Sequence, residues 1–179
     1  MLDIILKGLY IMLPGIGANM TPVFVKGVFK KLAVPVDFGK KINGKPIFGA
    51  NKTYRGIIFG VLVAILIAYA QYILYSYGFF RKFSLLDYSN WPAVGFLVGF
   101  GVMSGDLANS FFKRRAGIKP GRPFFPFDQL NAAIGGIIFI SFVYTPPFGV
   151  ITAVIISSFV MSLIINLLGY YLGLREIKW

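Results

Sequence analysis

The sequence predicts an all-α integral membrane protein with about five transmembrane helices, two basic cytoplasmic connections, the N-terminus outside and the C-terminus in the cytosol. Two observations carry this expectation. Of the 179 residues, 57% are hydrophobic and only 13% are charged, and the mean hydropathy is +0.75, which is too apolar for a soluble domain. The apolar residues also fall into runs of about 20, the length of a membrane-spanning helix.

The apolar runs predict the spans, and together they form one membrane domain over residues 1–179. The first run contains Pro14 and Pro22 with Asn19 between them, so we expect a broken or kinked helix. The third run carries Asp106 near its far end, and the fourth run is short. The predicted spans are residues 4–25, 56–80, 91–112, 130–145 and 148–173.

Basic residues orient these spans, because Lys and Arg are retained on the cytoplasmic side. The first connection, residues 26–55, holds eight basic residues, and the third, residues 113–129, holds five. We therefore expect a multi-pass protein of the cell membrane with its active site on the cytoplasmic side. The net charge of +12 suits anionic lipid heads or a polyphosphate. The positive charge is divided among short segments that are bounded by the membrane, which argues against a nucleic-acid partner.

The chain contains neither Cys nor His, which excludes a disulfide framework, a thiolate site, the usual zinc site and the usual general base. Any catalysis must rest on carboxylates, cations and a bound metal. The first residues lack a basic region and a signal-peptidase motif, so we expect them to remain as the first helix rather than to be cleaved.

Asp106 is expected inside a span, where an ionised carboxylate costs a few kcal/mol unless it is paired or hydrated. At 100° per residue, Asn109, Ser110 and Lys113 share its helical face. This polar stripe predicts a functional site at the cytoplasmic end of the helix. The alternative is a structural ion pair, between Asp106 and Lys113 or across helices, that only holds the bundle together.

Asp128 lies just before the fourth span and, taken alone, is an ordinary helix N-cap. The connection to Asp106 is only about twenty residues long, so both carboxylates can converge at one membrane surface. Two hard oxygen ligands of this kind suit Mg²⁺, which relies on water and substrate phosphates for its other ligands. Cations that suit a phosphate surround them, although the positive-inside rule alone also accounts for their sign: Lys113, Arg114, Arg115, Lys119 and Arg122.

The first connection is rich in Gly and Asn, which predicts tight turns whose backbone can approach a phosphate. Lys52, Thr53 and Arg55 stand at the start of the second helix, where the helix dipole also favours anions. A basic loop that faces lipid head groups is the open alternative.

These motifs occur in an order that resembles a known family. Asn51-Lys52-Thr53-x-x-Gly56, then Gly105-Asp106-Leu107-x-x-Ser110-x-x-Lys113-Arg114 and Gly117-Ile118-Lys119 resemble the signature of CDP-diacylglycerol synthases. The wider pattern is most similar to their archaeal relatives, the CDP-archaeol synthases. That pattern comprises Pro14-x-x-x-Ala18-Asn19-x-x-Pro22, residues 35–39, residues 44–49, residues 52–56 and Asp128-Gln129-Leu130.

The sequence departs from the bacterial pattern in two places. Pro120-Gly121-Arg122-Pro123 replaces an acidic, His-containing stretch, and Asp128-Gln129-x-Asn131 stands where Asp-Arg-x-Asp would be. Both departures move the expected substrate toward an archaeal ether lipid.

The resemblance implies that CTP reacts with unsaturated archaetidic acid, a lipid phosphate, to give CDP-archaeol and pyrophosphate with Mg²⁺ as cofactor. It implies Asp106 and Asp128 as metal ligands that act in catalysis with Lys113. The implied substrate and nucleotide contacts are Asn51, Lys52, Thr53, Arg55, Asn109, Ser110, Arg114 and Lys119.

The interrupted first span then has two interpretations. It lines a lateral opening for the isoprenoid chains, or it is a simple proline kink in which Asn19 bonds a freed carbonyl.

Two rival functions remain open. A small anion transporter would need polar residues deep in several spans, whereas the second and fifth spans are almost wholly apolar. A CTP-dependent lipid kinase would share the metal and the nucleotide but release CDP.

Overall fold

The computed structural model describes residues 1–119 and 121–171, which form five α-helices and one two-stranded hairpin. The helices are α1 (Leu2–Phe24), α2 (Tyr54–Ser76), α3 (Trp91–Arg115), α4 (Phe127–Ile140) and α5 (Phe148–Tyr171). The strands are β1 (Lys41–Ile42) and β2 (Lys45–Pro46). Residues 172–179, which include the end of the predicted fifth span and the basic residues Arg175 and Lys178, lie outside the described residues.

Four of the helices, α1, α2, α3 and α5, are long and apolar enough to cross a membrane. The shorter α4 has 14 residues, or about 21 Å, against a hydrocarbon core of roughly 30 Å. The predicted bounds 130–145 are wrong at both ends, because α4 begins at Phe127 and the chain turns after Ile140. The predicted second span also runs too far, because α2 ends at Ser76 and Gly78 has a positive φ of 89°.

The first connection adds one small β-hairpin to the helical fold. β1 and β2 pair antiparallel, and Ile42 and Lys45 flank a two-residue turn. The turn residues Asn43 and Gly44 have φ values of 51° and 74°, the left-handed conformation that tight hairpin turns require. The predicted tight turns are thus present, and they build a small hairpin.

The first helix is not broken, because α1 continues through both prolines, and the kink stays a prediction. Pro14 has no N–H and cannot bond the carbonyl of Tyr10. Gln71 of α2 fills this gap, since its Nε2 donates to the Tyr10 carbonyl oxygen at 2.6 Å in a buried interface. The Tyr10 carbonyl, which Pro14 leaves without its helical partner, is therefore satisfied by Gln71 and not by Asn19.

Small residues let α3 approach α2 closely. A Cβ on Gly99 would stand 2.6 Å from Cβ of Ala64, and a Cβ on Gly95 would meet the backbone of Ile65. Such pairs of small residues spaced by four allow helix backbones to pack in a membrane, where van der Waals contact replaces the hydrophobic driving force.

A second pair of glycines faces α4. A Cβ on Gly101 would collide with the carbonyl oxygen of Gly135, and a Cβ on Gly105 would collide with that of Asn131. The contact partners run in opposite order along the two helices, so α3 and α4 are antiparallel. This close crossing places Asp106, the residue after Gly105, against the start of α4.

Successive helices run antiparallel, so both basic connections meet at one end of the bundle. At that end Gly56 of α2 lies beside Pro22 of α1, and the hairpin contacts the end of α3 through Lys45 and Arg115. The last helix, α5, packs on α1 and α4. Its contacts leave a cavity among these three helices and α3.

Candidate active site

Asp37 fixes the shape of the first connection. Its side chain is buried, and its carboxylate accepts hydrogen bonds from the backbone N–H groups of Gly39 (2.9 Å), Phe48 (2.9 Å) and Gly49 (3.0 Å). Burial alone would raise the pKa of Asp37, but these N–H donors lower it below the ordinary value of 3.8. The charged carboxylate ties the connection together just ahead of Lys52. Sequence reasoning assigned Asp37 no role, although it is the lone acid among eight cations.

Arg115 attaches the hairpin to the end of α3. Its guanidinium donates to the backbone carbonyls of Ile42 (3.1 Å), Lys45 (3.0 Å) and Pro46 (2.5 Å). Lys45 adds a further hydrogen bond between the hairpin and α3, because its Nζ donates to the Arg115 carbonyl at 3.0 Å. Arg115 therefore orders the loop with donors that sequence reasoning had grouped among the phosphate-binding cations.

Asp106 forms an ion pair with Lys52 of the first connection. The Lys52 Nζ donates to Oδ2 of Asp106 at 2.5 Å, and the two side chains are 26% and 29% exposed. A pair between Asp106 and Lys113, one form of the structural alternative, is therefore wrong. The carboxylate that the sequence places in a span is bound instead by the loop that leads into α2.

Asp128 is the partner of Lys113. The Lys113 Nζ lies 2.8 Å and 3.0 Å from the two carboxylate oxygens, Asn109 Nδ2 donates at 2.6 Å, and the Phe124 N–H donates at 2.8 Å. Asp128 is the second residue of α4, and Pro126 is the N-cap. The simple N-cap interpretation is therefore wrong, because donors from α3 and the preceding loop bind this side chain.

The two ion pairs line a small polar pocket of about 170 Å³ at the end of the bundle. It brings together eight of the residues that sequence reasoning had selected for the site. They are Asn51, Lys52, Asp106, Asn109, Ser110, Lys113, Arg114 and Asp128.

A larger cavity of about 670 Å³ lies among α1, α3, α4 and α5. Most of its wall is apolar, with Met12, Ile16 and Val154 among the lining residues. It shares Asp106, Lys113, Gly121 and Asp128 with the polar pocket. The two carboxylates therefore stand where the small pocket and the larger cavity join.

Asn19 and Gln129 also line the larger cavity. The Gln129 side chain is 4% exposed, and neither of its amide atoms has a partner within the described part of the chain. Sequence reasoning noted Gln129 as a departure from the bacterial pattern without giving it a role. Its position directly after Asp128 is the sequence signal that could have indicated a place in the site.

Three of the selected residues are absent from the lining of either cavity among the described residues. Thr53 is the N-cap of α2 and accepts from the Gly56 N–H at 3.3 Å. Arg55 is buried and donates to the Val28 carbonyl at 2.8 Å. Lys119 is exposed in the loop after α3. Thr53 and Arg55 thus fix the start of α2 and the path of the chain before it.

The donor atoms of the pocket fit a hard divalent cation. Asp106 and Asp128 supply carboxylate oxygens, and Oδ1 of Asn109 is buried without a hydrogen-bond partner in the described residues. Residues 1–119 and 121–171 contain no group of three or more His, Cys, Asp or Glu side chains that could hold a metal. Two carboxylates with remaining positions left to water and phosphate match the way proteins bind Mg²⁺.

Comparison with known proteins gives consistent matches over the whole chain. A family model described as "CarS-like: CDP-archaeol synthase" matches residues 1–179. CDP-archaeol synthase of Archaeoglobus fulgidus is 36% identical, and the match covers 100% of both chains. The enzyme of the same name from Pyrococcus furiosus is 34% identical over 98% of both chains.

One solved structure shares the fold. It is described as an intramembrane enzyme for archaeal membrane lipids biosynthesis, and it superposes with a TM-score of 0.69. The sequences are 29% identical, and the match covers 90% of this chain and 94% of the other.

Proposed function

This chain belongs to the CDP-archaeol synthase family and is a membrane cytidylyltransferase of archaeal lipid biosynthesis, and we propose that its reaction takes place at the two ion pairs. In this proposal CMP passes from CTP to unsaturated archaetidic acid, giving CDP-archaeol and pyrophosphate. One observation carries it: Asp106, Lys113 and Asp128 line both the polar pocket and the larger apolar cavity.

The two compartments suit the two substrates. The polar pocket presents Lys52, Lys113 and Arg114, whose charges match a triphosphate. The larger cavity presents apolar side chains such as Ile16 beside hydroxyl groups such as those of Ser158 and Ser162, which suits isoprenoid chains joined to a glycerol. The lipid phosphate and the nucleotide would then meet where the two compartments join.

The chemistry needs no general base, which agrees with a chain that has no His. An oxygen of the lipid phosphate, already anionic near neutral pH, attacks the α-phosphorus of CTP. The bond between the α-phosphorus and the bridging oxygen breaks, and pyrophosphate leaves with the electron pair. The protein has to hold two repelling anions in line and neutralise the charge that grows on the leaving group. In this proposal the cations that line the polar pocket, Lys52, Lys113 and Arg114, would do this work.

Asp106 and Asp128 would hold Mg²⁺ in this proposal, with Asn109 beside them. When bound, Mg²⁺ neutralises phosphate charge and orients the transferred group. Asn51 and Ser110 line the same pocket and would bond the nucleotide. Lys119 would contact a phosphate from the loop edge, and Thr53 and Arg55 would act by fixing the start of α2.

The proposal includes five membrane crossings, with the N-terminus outside, the C-terminus in the cytosol and the active site on the cytoplasmic side. The basic residues of the two connections support this orientation.

Product analysis tests the reaction. Purified protein receives CTP, Mg²⁺ and a panel of lipid phosphates that includes ether and ester lipids, and the products are identified by mass. Pyrophosphate should appear in step with CTP loss, only with a divalent cation and a phosphorylated lipid. Release of CDP would favour a CTP-dependent lipid kinase, and transport of an anion without CTP turnover would favour a transporter.

A further inference from the structure

The two carboxylates of the pocket are both already paired with lysines that line the same pocket. Lys52 binds Asp106, and Lys113 binds Asp128. We propose that Lys52 is an exchangeable counter-ion, which leaves Asp106 for a nucleotide phosphate as a divalent cation takes its place. Metal and nucleotide then bind cooperatively. This inference rests on the proposed function and assigns Lys52 a second partner within it.

A competition for Asp106 follows from this geometry. A divalent cation and the Lys52 ammonium group both need the Asp106 carboxylate, and the ammonium contacts its Oδ2 at 2.5 Å. If the cation binds alone, it leaves Lys52 without its partner in a pocket that also contains Lys113 and Arg114. Like charges that line one small pocket repel one another and raise the free energy of the metal-bound form.

A triphosphate removes this cost, because it offers Lys52 an anion within the same pocket. Conversely, a triphosphate that binds without a cation brings negative charge against Asp106 and Asp128. Each ligand therefore improves the site for the other, and the two effects are equal by thermodynamic linkage.

The exchange concerns Lys52 more than Lys113. Asp128 receives two further hydrogen bonds, from Asn109 Nδ2 (2.6 Å) and the Phe124 N–H (2.8 Å), and Lys113 is held on the rigid helix α3. Lys52 lies in the connection before α2, and its side chain is 26% exposed. Of the two ion pairs, the one between Lys52 and Asp106 can therefore open without removing several hydrogen-bond donors from its carboxylate.

Divalent-cation binding without nucleotide tests the exchange directly. Mn²⁺ binding to the full-length protein in detergent is followed by electron paramagnetic resonance for wild type, Lys52→Gln, Lys52→Arg and Lys40→Gln. Lys52→Gln should bind Mn²⁺ alone about tenfold more tightly than wild type, because glutamine competes poorly for Asp106. Lys52→Arg keeps the counter-ion and should stay near wild type. Lys40→Gln removes one charge from an exposed position of the same connection and should also stay near wild type.

Two results would overturn the inference. One is equal Mn²⁺ affinity of Lys52→Gln and wild type, and the other is an equal gain in Lys40→Gln, which would indicate only long-range charge. If Lys52→Gln fails to fold, the exchange is tested on the wild-type protein alone. Its CTP affinity in equilibrium dialysis without lipid should rise at least tenfold from EDTA to Mg²⁺, and no rise would contradict the exchange.

Asp106→Asn separates this inference from the proposed function. If this variant loses Mn²⁺ binding and turnover while Lys52→Gln gains no affinity, only the exchange is wrong. If Asp106→Asn keeps both Mn²⁺ binding and turnover, the proposed metal site itself is wrong.

Discussion

Lys52 and Asp106 form an ion pair across 54 positions of the sequence, with 2.5 Å between Nζ and Oδ2. This contact joins the first basic connection to α3 at the wall of the polar pocket. The loop and the helix therefore form one site, and changes that move either element should reach the chemistry.

The Gly105 crossing supports that site from the side of α3. Replacing Gly105 with Ala would place a methyl group against the Asn131 carbonyl oxygen, so α3 and α4 would have to separate. We expect a loss of roughly 1–3 kcal/mol in unfolding free energy and reduced turnover, measured by thermal melting and CTP consumption. Gly27→Ala, where an added Cβ meets nothing within 4 Å, is the control. Unchanged stability of Gly105→Ala would refute the close crossing.

Gln71 supports α1 at Pro14. Gln71→Leu removes the donor to the Tyr10 carbonyl and leaves a buried acceptor unpaired, which should cost about 1–3 kcal/mol. Pro14→Ala restores a backbone N–H at position 14 that can bond Tyr10. In the double variant the loss caused by Gln71→Leu should therefore shrink. Additive losses in thermal melting would argue against this account of the continuous helix.

Asp37 predicts an acid sensitivity of the first connection. Its pKa is lowered in the folded protein, so its contribution to stability is complete above the ordinary pKa of 3.8 and is lost as the pH falls through the lowered value. Asp37→Asn replaces one carboxylate oxygen with an NH₂ group, which cannot accept a hydrogen bond from the backbone N–H groups. The variant should therefore have a lower melting temperature at pH 7. The gap between wild type and variant should close below pH 3.8. Asp87→Asn, at an exposed position where the carboxylate accepts only from Ser89, should lower the melting temperature at pH 7 much less. A constant gap at every pH would contradict the assignment.

Membrane orientation is testable because the chain contains no Cys. Single cysteines at Lys45 and Lys119 should react with an impermeant reagent only from the cytoplasmic face. A cysteine at Ser84, between α2 and α3, should react only from the other face. Labelling of all three from one side would contradict the arrangement of crossings.

The sequence was informative where one physical effect dominates. Hydropathy located α1, α3 and α5 closely, and helical spacing grouped Asp106 with Asn109 and Lys113, since both signals are local. The partner of Asp106 was not predictable in this way. Lys52 reaches Asp106 only because the connection is folded by long-range contacts.

Other features were visible in the sequence but were not interpreted. Gly95 with Gly99, and Gly101 with Gly105, have the spacing of a helix-packing signal. Gln71 resembled a stray polar residue in an apolar helix, because its partner is a backbone carbonyl freed by a proline on another helix.

The most direct test of whether Asp106 and Asp128 hold the catalytic metal is the turnover of Asp106→Asn and Asp128→Asn. It is measured together with the melting temperature across a Mg²⁺ titration. The substitution keeps the shape and removes the charge, so CMP transfer should fall at least about a hundredfold, or roughly 3 kcal/mol of transition-state stabilisation, while the fold survives. Two ligands of one metal should also be non-additive in the double variant. Asp87→Asn should keep full activity. A fully active Asp128→Asn protein would remove that residue from the site and contradict the account.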